Sequence, residues 1–303
     1  MNLGIIQPKT TPLSPSRPKT EIEIPLEMTY ETFKEFREFI YSHSGIYFSD
    51  SKKELLESRI RKRLFIHKFY SYEEYLKFLQ SPAGRVEIPA LYELITINET
   101  YFFRTAQQFE VMEQVLIPEI VKAHHERGEK NPVIRIWSSA ASSGEEAYTI
   151  AIIIAEKIKP LYPTVTFQII GTDINNAVLE AARRGVYKEY SVRTVAPELL
   201  KKYFTREDGN YYLNPEIRSS VSFHNFNLFD QSAMNSIRNI DIVFCCNVLI
   251  YFDVQSKKKV IQNLYQSLNK GGYLFVGYSE SLHGLSKDFK LIHLQKAMAY
   301  CKE

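Results

Sequence analysis

Acidic and amide side chains stand at four points where predicted strands end. These side chains are Glu145 and Glu146 after the first strand, Asp173 after the second, Asn227 after the third and Asn247 after the fourth. In an open parallel sheet, ligands bind beyond the carboxyl ends of the strands. An acid in the position of Asp173 can accept hydrogen bonds from both hydroxyls of a ribose, and amides both donate and accept. The pattern favours a positively charged nucleoside.

Each of these positions also has a purely structural interpretation. Ser142 or Ser143 could cap a helix while one of the two glutamates reaches back, as in a capping box. Asp173 could cap the following helix, and the asparagines could form turns. A dinucleotide is disfavoured, because two acids would repel a pyrophosphate and no second glycine completes G-x-G-x-x-G.

The elements that position these residues are short β-branched and aromatic runs separated by helices. The predicted strands are 133–137, 165–171, 221–225, 240–246 and 273–276. Strands that alternate with helices predict a parallel α/β sheet covered on both faces. Residues 289–294 and 297–301 predict a hairpin placed antiparallel on one edge of this sheet.

Residues 186–220 interrupt this alternation. They contain a short predicted helix near 198–204, and then Asp208 and Gly209 between tyrosine-rich stretches, which is a hairpin signal. We expect a small β-subdomain inserted into residues 97–303, which form the α/β domain.

Residues 28–96 are expected to form a small helical domain. Leu56, Ile60 and Leu64 recur at helical spacing, and Ser51 with Glu54 predicts a capping box ahead of that helix. Residues 1–27 hold five of the 13 prolines and are predicted to be a disordered tail.

Composition sets limits on the partners and the compartment. The net charge of +3 over 303 residues is too small to indicate nucleic acid binding. Three cysteines cannot form a disulfide framework, which favours a reducing compartment, and no apolar run is long enough to insert into a membrane. The seven histidines show no spacing typical of metal ligands. We expect a cytoplasmic protein.

Four motifs, taken in order, resemble the CheR chemotaxis receptor methyltransferases. They are N-E-T-Y-F-F-R at 98–104, A-S-S-G-E-E-A-Y at 141–148, G-T-D-I at 171–174 and C-N-V-L-I-Y-F-D at 246–253. The resemblance implies an all-helical N-terminal domain and a doubly wound, mostly parallel seven-stranded methyltransferase sheet with a small inserted β-subdomain. It also implies S-adenosylmethionine as cofactor, with S-adenosylhomocysteine as product. The reaction would methylate glutamate carboxylates of chemotaxis receptors, for sensory adaptation.

The resemblance also assigns residues to roles. The implied cofactor contacts are Asn98, Thr100, Arg104, Glu145, Asp173, Asn227, Leu228, Asn247 and Val248. A glutamate is already ionised at neutral pH, so methyl transfer to it needs positioning and no general base. Arg104 is the candidate clamp for the acceptor carboxylate, and Tyr251 could hydrogen-bond near the reacting groups. The alternatives are a solvated arginine at a helix end and a tyrosine of the core.

A basic run in the helical domain is the candidate docking surface for the receptor coiled coil. It comprises Arg59, Arg61, Lys62 and Arg63, and the alternative is a solvated helix face. The stretch 204–211 is short and has only Gly209, so we expect docking to be independent of a carboxy-terminal receptor pentapeptide.

Two other functions compete with this interpretation. A non-catalytic sensor could bind the same cofactor through the same residues. A nucleic-acid or small-molecule methyltransferase is disfavoured, because no proline pair follows Asn247.

Overall fold

A computed structural model describes residues 27–303, so the predicted tail lies almost wholly outside the described residues. The amino-terminal part is helical. Its helices are α1 (Tyr30–Ser44), α2 (Lys53–His67), α3 (Tyr72–Gln80) and α4 (Ile88–Ile95). Leu56, Ile60 and Leu64 are fully buried, as their spacing predicts. No helix in residues 27–303 is both long enough and apolar enough to span a bilayer.

The capping box predicted ahead of α2 is wrong. A 3₁₀ turn (Asp50–Lys52) leads directly into the helix, and the residue at the cap position is Lys52, whose side chain does not cap. Ser51 lies inside that turn, and its hydroxyl pairs with Ser49 instead. Other helices do have side-chain caps, since Ser71 accepts from the Glu74 amide at the start of α3.

The rest of the chain is an α/β domain with ten strands. The strands are β1 (Val133–Ser138), β2 (Thr166–Asp173), β3 (Val186–Tyr187), β4 (Phe204–Glu207), β5 (Asn210–Leu213), β6 (Val221–Asn225), β7 (Ile240–Cys245), β8 (Leu268–Val276), β9 (Phe289–His293) and β10 (Met298–Lys302). Its helices are α5 (Ala106–Val111), α6 (Ile117–Glu126), α7 (Glu145–Ile153), α8 (Asn176–Arg184), α9 (Glu189–Val192), α10 (Pro197–Tyr203), α11 (Pro215–Ser219) and α12 (Val254–Ser267).

Seven of these strands form one sheet in the order β6-β2-β1-β7-β8-β10-β9. The pairs from β6 to β8 are parallel, and β10 runs antiparallel to both β8 and β9. This confirms the predicted sheet and its edge hairpin. Strand β8 begins five residues before the predicted start, because a register shift opposite Ile240 and Ile242 lets the pairing with β7 continue past the glycine pair.

The inserted segment is a three-stranded antiparallel sheet in the order β3-β5-β4. Asp208 and Gly209 form the two-residue turn between β4 and β5, and both have positive φ, at 47° and 71°. Such a turn matches the twist of the flanking strands. The predicted hairpin and β-subdomain are therefore confirmed.

The helical domain packs beside the carboxyl ends of the strands. Ile46 forms a β-bridge with Phe252, and the Tyr47 amide donates to the Tyr251 carbonyl at 2.9 Å. The Tyr41 hydroxyl donates to Asp253, which caps α12. The two domains share a hydrophobic core, so the helical domain forms one wall of any ligand site at these strand ends.

Candidate functional site

A cavity of about 220 Å³ lies at the carboxyl ends of the central strands, beneath the helical domain. A single water needs only about 10–15 Å³ measured in the same way, so this cavity has room for a much larger ligand. The structure brings most of the predicted site residues to its wall. These are Asn98, Thr100, Arg104, Asp173, Asn227, Leu228, Asn247, Val248 and Tyr251.

The turn after β1 brings the backbone to the cavity. Ser139, Ala140 and Ser142 line it with small side chains, and the Ala141 amide donates to the Thr172 carbonyl at 2.7 Å. Gly144 has φ 95°, and a Cβ there would lie 2.9 Å from both the Ala182 Cβ and the Tyr148 ring. The turn is thus fixed by close packing that only glycine permits.

Asp173 connects the two loops that form the floor of the cavity. Its Oδ2 accepts from the Ser142 amide and its Oδ1 from the Asn175 amide, both at 2.9 Å. The cap of α8 is Asn175, so Asp173 does not cap the helix. Burial raises the pKa of this carboxyl while the backbone bonds lower it. Each carboxylate oxygen accepts more than one hydrogen bond, which leaves acceptor capacity toward the cavity.

The prediction for Glu145 needs correction, because the neighbouring Glu146 lines the cavity instead. Glu145 is 2% exposed and accepts from Ser143 Oγ at 2.7 Å and Ser191 Oγ at 2.9 Å. Successive residues of a helix point about 100° apart, so the first glutamate of α7 faces the β-subdomain and the second faces the cavity. The capping box does not form here either, since the cap of α7 is Gly144.

Glu146 is half-buried, and its side chain lines the cavity. It accepts from Ser138 Oγ at 2.7 Å. Burial raises the pKa of Glu146 to about 7, although Ser138 and the charge of Arg104 act in the opposite direction. A cation in the cavity would favour the ionised form of this carboxyl.

Arg104 lies on the loop after α4, and the Tyr251 hydroxyl, from the loop after β7, bonds to the same α4 loop at the cavity wall. Arg104 Nη1 donates to the Glu99 carbonyl at 2.5 Å, and the Tyr251 hydroxyl donates to the Ile97 carbonyl at 3.2 Å. Burial raises the pKa of Tyr251, which keeps its hydroxyl protonated. Within residues 27–303, no carboxylate lies within 4.0 Å of the Arg104 guanidinium. The guanidinium is therefore available to an incoming carboxylate.

The two predicted asparagines differ in their surroundings. Asn227 donates to the His43 carbonyl at 2.7 Å and accepts from the Phe229 amide at 3.0 Å, so here the turn interpretation is correct. Asn247 has φ 61°. Its side-chain amide makes no hydrogen bond to any other described residue, which leaves it for a ligand.

Sequence reasoning missed Glu280, which fixes the loop after β7. Its Oε2 accepts from the Asn247 and Gly277 amides at 2.8 and 2.7 Å, and its Oε1 from the Ile250 amide at 3.2 Å. Glu280 follows the carboxyl end of β8. The rule that selected the other strand ends would have found it there.

The basic run on α2 is not a continuous free surface. Arg59 Nη1 donates to the Ile95 carbonyl at 2.6 Å, and Arg61 pairs with Glu57 at 2.5 Å. Arg63 forms a bidentate pair with the buried Glu87 at 2.5 and 2.6 Å. Lys62 alone of the four is exposed, and the three arginines are half-buried. Acids outside the run therefore engage two of its four charges, and a backbone carbonyl engages a third.

The doubly wound sheet, with a cavity beyond the carboxyl ends of its central strands, is the Rossmann-like fold of S-adenosylmethionine-dependent methyltransferases. The residues present fit that group: the turn after β1 admits close approach, Asp173 keeps acceptor capacity, and the side-chain amide of Asn247 has no partner among residues 27–303.

The chain belongs to the CheR methyltransferase family. Residues 98–298 match the family described as CheR methyltransferase, SAM binding domain, and residues 31–96 match CheR methyltransferase, all-alpha domain. It is 36% identical to chemotaxis protein methyltransferase 2 of Vibrio cholerae, over 91% of this chain and 94% of that protein. It is 31% identical to the chemotaxis protein methyltransferase of Borreliella burgdorferi, over 88% and 93% of the two chains. The resemblance found in the motifs is confirmed.

Proposed function

We propose that the protein transfers the methyl group of S-adenosylmethionine to glutamate carboxylates of chemotaxis receptors, forming methyl esters. The observation that carries this proposal is Arg104, a guanidinium on the wall of the cofactor cavity with no carboxylate partner in the described chain. Arginine binds a carboxylate through two parallel hydrogen bonds. An acceptor carboxylate is thus the ligand that this side chain fits best.

The chemistry requires orientation more than proton transfer. When bound, S-adenosylmethionine supplies an electrophilic methyl carbon, and the acceptor glutamate is already an anion at neutral pH. Arg104 holds the acceptor, the Tyr251 hydroxyl bonds to the loop that carries Arg104, and Asp173 fixes the floor of the cavity. Such positioning can contribute about 7–11 kcal/mol to lowering a barrier.

Ionised Glu146 complements a positively charged ligand. It faces the cavity and forms no salt bridge with any described residue. A cation there would be attracted to the carboxylate, and the buried setting strengthens that attraction. The same contact would weaken once the ligand has lost its positive charge.

We propose that the receptor docks on the exposed lysines of α2 and of the residue just after it. Lys62 and Lys68 are exposed, whereas Arg59, Arg61 and Arg63 are engaged within the domain. We expect Lys62→Glu with Lys68→Glu to weaken receptor methylation about threefold at low salt, through lost attraction to acidic receptor helices. Cofactor binding should not change. Equal methylation across a salt series would contradict this surface.

The β4–β5 hairpin bears on the second docking question. Its turn contains only Asp208 and Gly209. We propose that the protein acts without a carboxy-terminal receptor pentapeptide, in the cytoplasm beside the receptor coiled coils. Receptors with and without their last five residues should be methylated at equal rates, and a tenfold difference would refute the proposal.

The function is tested with methyl-labelled S-adenosylmethionine and membranes that carry chemoreceptors. Label that alkali releases as methanol identifies a carboxyl methyl ester. Arg104→Ala serves as the matched inactive variant. A protein that binds S-adenosylmethionine in calorimetry but transfers no label is the non-catalytic sensor, and the proposed activity is then wrong.

A further inference from the structure

Near Arg104, a second arginine lies in the corner that two tyrosine rings form. The Arg193 Cζ lies 3.6 Å from the Tyr101 ring centroid and 3.7 Å from the Tyr190 ring centroid. Tyr101 lines the cofactor cavity, and its centroid is also 5.7 Å from the Arg104 Cζ. Two guanidinium groups therefore lie near one aromatic side chain that lines the cavity, and we call this place the cavity mouth.

The β-subdomain positions Arg193 here because its residues form hydrogen bonds with the loop that carries Arg104. The Phe102 amide donates to the Ser191 carbonyl at 2.9 Å, and the Thr194 hydroxyl donates to the Phe102 carbonyl. Phe102 is fully buried, with its ring 5.1 Å from that of Phe204. The contacts of Arg193 with the two tyrosines thus rest on a fixed backbone.

The positive charge of Arg193 is exposed, and within residues 27–303 no carboxylate lies within 4.0 Å of it. The neighbouring Glu99 instead accepts from the Tyr190 hydroxyl at 2.8 Å. The two rings lie at 79° to each other with centroids 6.3 Å apart, so they form a corner around the guanidinium, whose Nη1 donates to the Tyr190 carbonyl. Since a guanidinium has five N–H donors around its edge, several remain for a ligand.

The contacts of Arg193 with the two rings also prepare its guanidinium for binding. A guanidinium held between two rings loses less conformational freedom when it forms a bidentate bond than a free arginine does. Carboxylates three or four residues apart on a helix have Cβ atoms about 5–6 Å apart. This spacing suits Arg104 and Arg193, whose Cζ atoms lie 5.7 and 3.6 Å from the same Tyr101 ring centroid.

We propose that Arg193, held by Tyr101 and Tyr190, is a second carboxylate subsite. It selects acceptor segments in which another acidic side chain lies within one helical turn of the glutamate that is methylated. This inference rests on the proposed function and narrows its substrate class to acidic helical segments.

The test crosses a protein variant with a receptor variant. Unaltered protein and Arg193→Gln are each given the unaltered receptor and a receptor whose acids within one turn of the methylated glutamate are changed to amides. We expect Arg193→Gln to lose about fivefold in kcat/KM on the unaltered receptor, and nothing on the neutralised one. Arg193→Lys should recover part of the loss on the unaltered receptor.

Matched controls separate this role from a structural one. Arg206→Gln removes an exposed arginine of the same subdomain, stacked 5.5 Å from the Tyr211 centroid, and should leave both rates unchanged. An equal loss with Arg193→Gln on both receptors overturns the subsite and leaves only a structural role. No loss on either receptor also overturns the subsite. If unaltered protein forms no ester on any receptor, the proposed function fails first and this inference with it.

Discussion

Two groups of arginines differ in how far their charge is engaged. On α2, Arg59, Arg61 and Arg63 are bound to a carbonyl, to Glu57 and to Glu87. At the cavity mouth, Arg104 and Arg193 form no ion pair with any residue of 27–303; each donates to a carbonyl oxygen and faces tyrosine rings. The α2 group is denser in sequence, yet the mouth carries the more available charge.

The difference shows that a run of basic residues does not measure the charge offered to a partner. Glu87 is 4% exposed and receives Arg63, the Tyr75 hydroxyl and His67. A buried carboxylate of this kind needs its cation, because an unpaired charge in the interior is costly. Arg63 therefore serves the stability of the helical domain, whereas the charges of the two mouth arginines remain available to a ligand.

The largest expected effect comes from breaking the mouth group. Arg104→Ala should lower kcat about 10²–10³-fold, comparable to losing one donor that stabilises a reacting anion. The initial rate of ester formation on receptor membranes measures this effect, with circular dichroism to show an unchanged fold. Full turnover in this variant would remove Arg104 from the reaction.

Breaking the α2 group should affect stability instead. Arg63→Ala should lower the free energy of unfolding by about 3 kcal/mol, because it leaves Glu87 buried without its cation. The matched variant Lys62→Ala should stay within about 0.5 kcal/mol. Urea unfolding measures both, and equal values would show that Arg63 is as free as Lys62.

Glu146 sharpens the comparison from the acidic side, since it is a cavity carboxyl without a bonded cation. Its pKa of about 7 lies above the ordinary value of 4.5, so folding favours its protonated form. This contribution to stability is complete below pH 4.5 and is lost as pH rises through 7. Between pH 5 and pH 8 the unaltered protein should lose about 2 kcal/mol more than Glu146→Gln. Parallel curves of unfolding free energy against pH would contradict the raised pKa.

The smallest expected effect is that of Tyr251→Phe. The variant loses the hydroxyl that donates to the Ile97 carbonyl and keeps the ring. We expect kcat to fall about tenfold or less, as for the loss of one hydrogen bond that orients a loop. Single-turnover rates with saturating cofactor provide the measurement, and a loss as large as that of Arg104→Ala would make Tyr251 an equal partner.

The sheet could be predicted from the sequence because buried parallel strands are continuous β-branched and aromatic runs. The α7 glutamates could not be told apart, since Ser191, which bonds Glu145, belongs to the inserted subdomain. Glu57 stands four residues before Arg61, so that pair was visible in the sequence. Glu87 lies 24 residues beyond Arg63, and only the fold brings them together.

The contacts of Arg193 with Tyr101 and Tyr190 could not be predicted for the same reason. Nothing local in the sequence relates Arg193 to the 98–104 motif, because the contact depends on how the β-subdomain lies on that loop. In a chain with 20 tyrosines, composition alone does not single out two of them.

The backbone link between Tyr47 and Tyr251 has a consequence for dissecting the molecule. Ser44 and Ile46 supply part of the cavity wall, and Asn227 donates to a carbonyl of α1. A fragment that begins at residue 97 would lack this part of the wall. Its cavity would be more open, and apolar surface would be newly in contact with water. The helical domain is thus no detachable adaptor, because the catalytic half is incomplete without it.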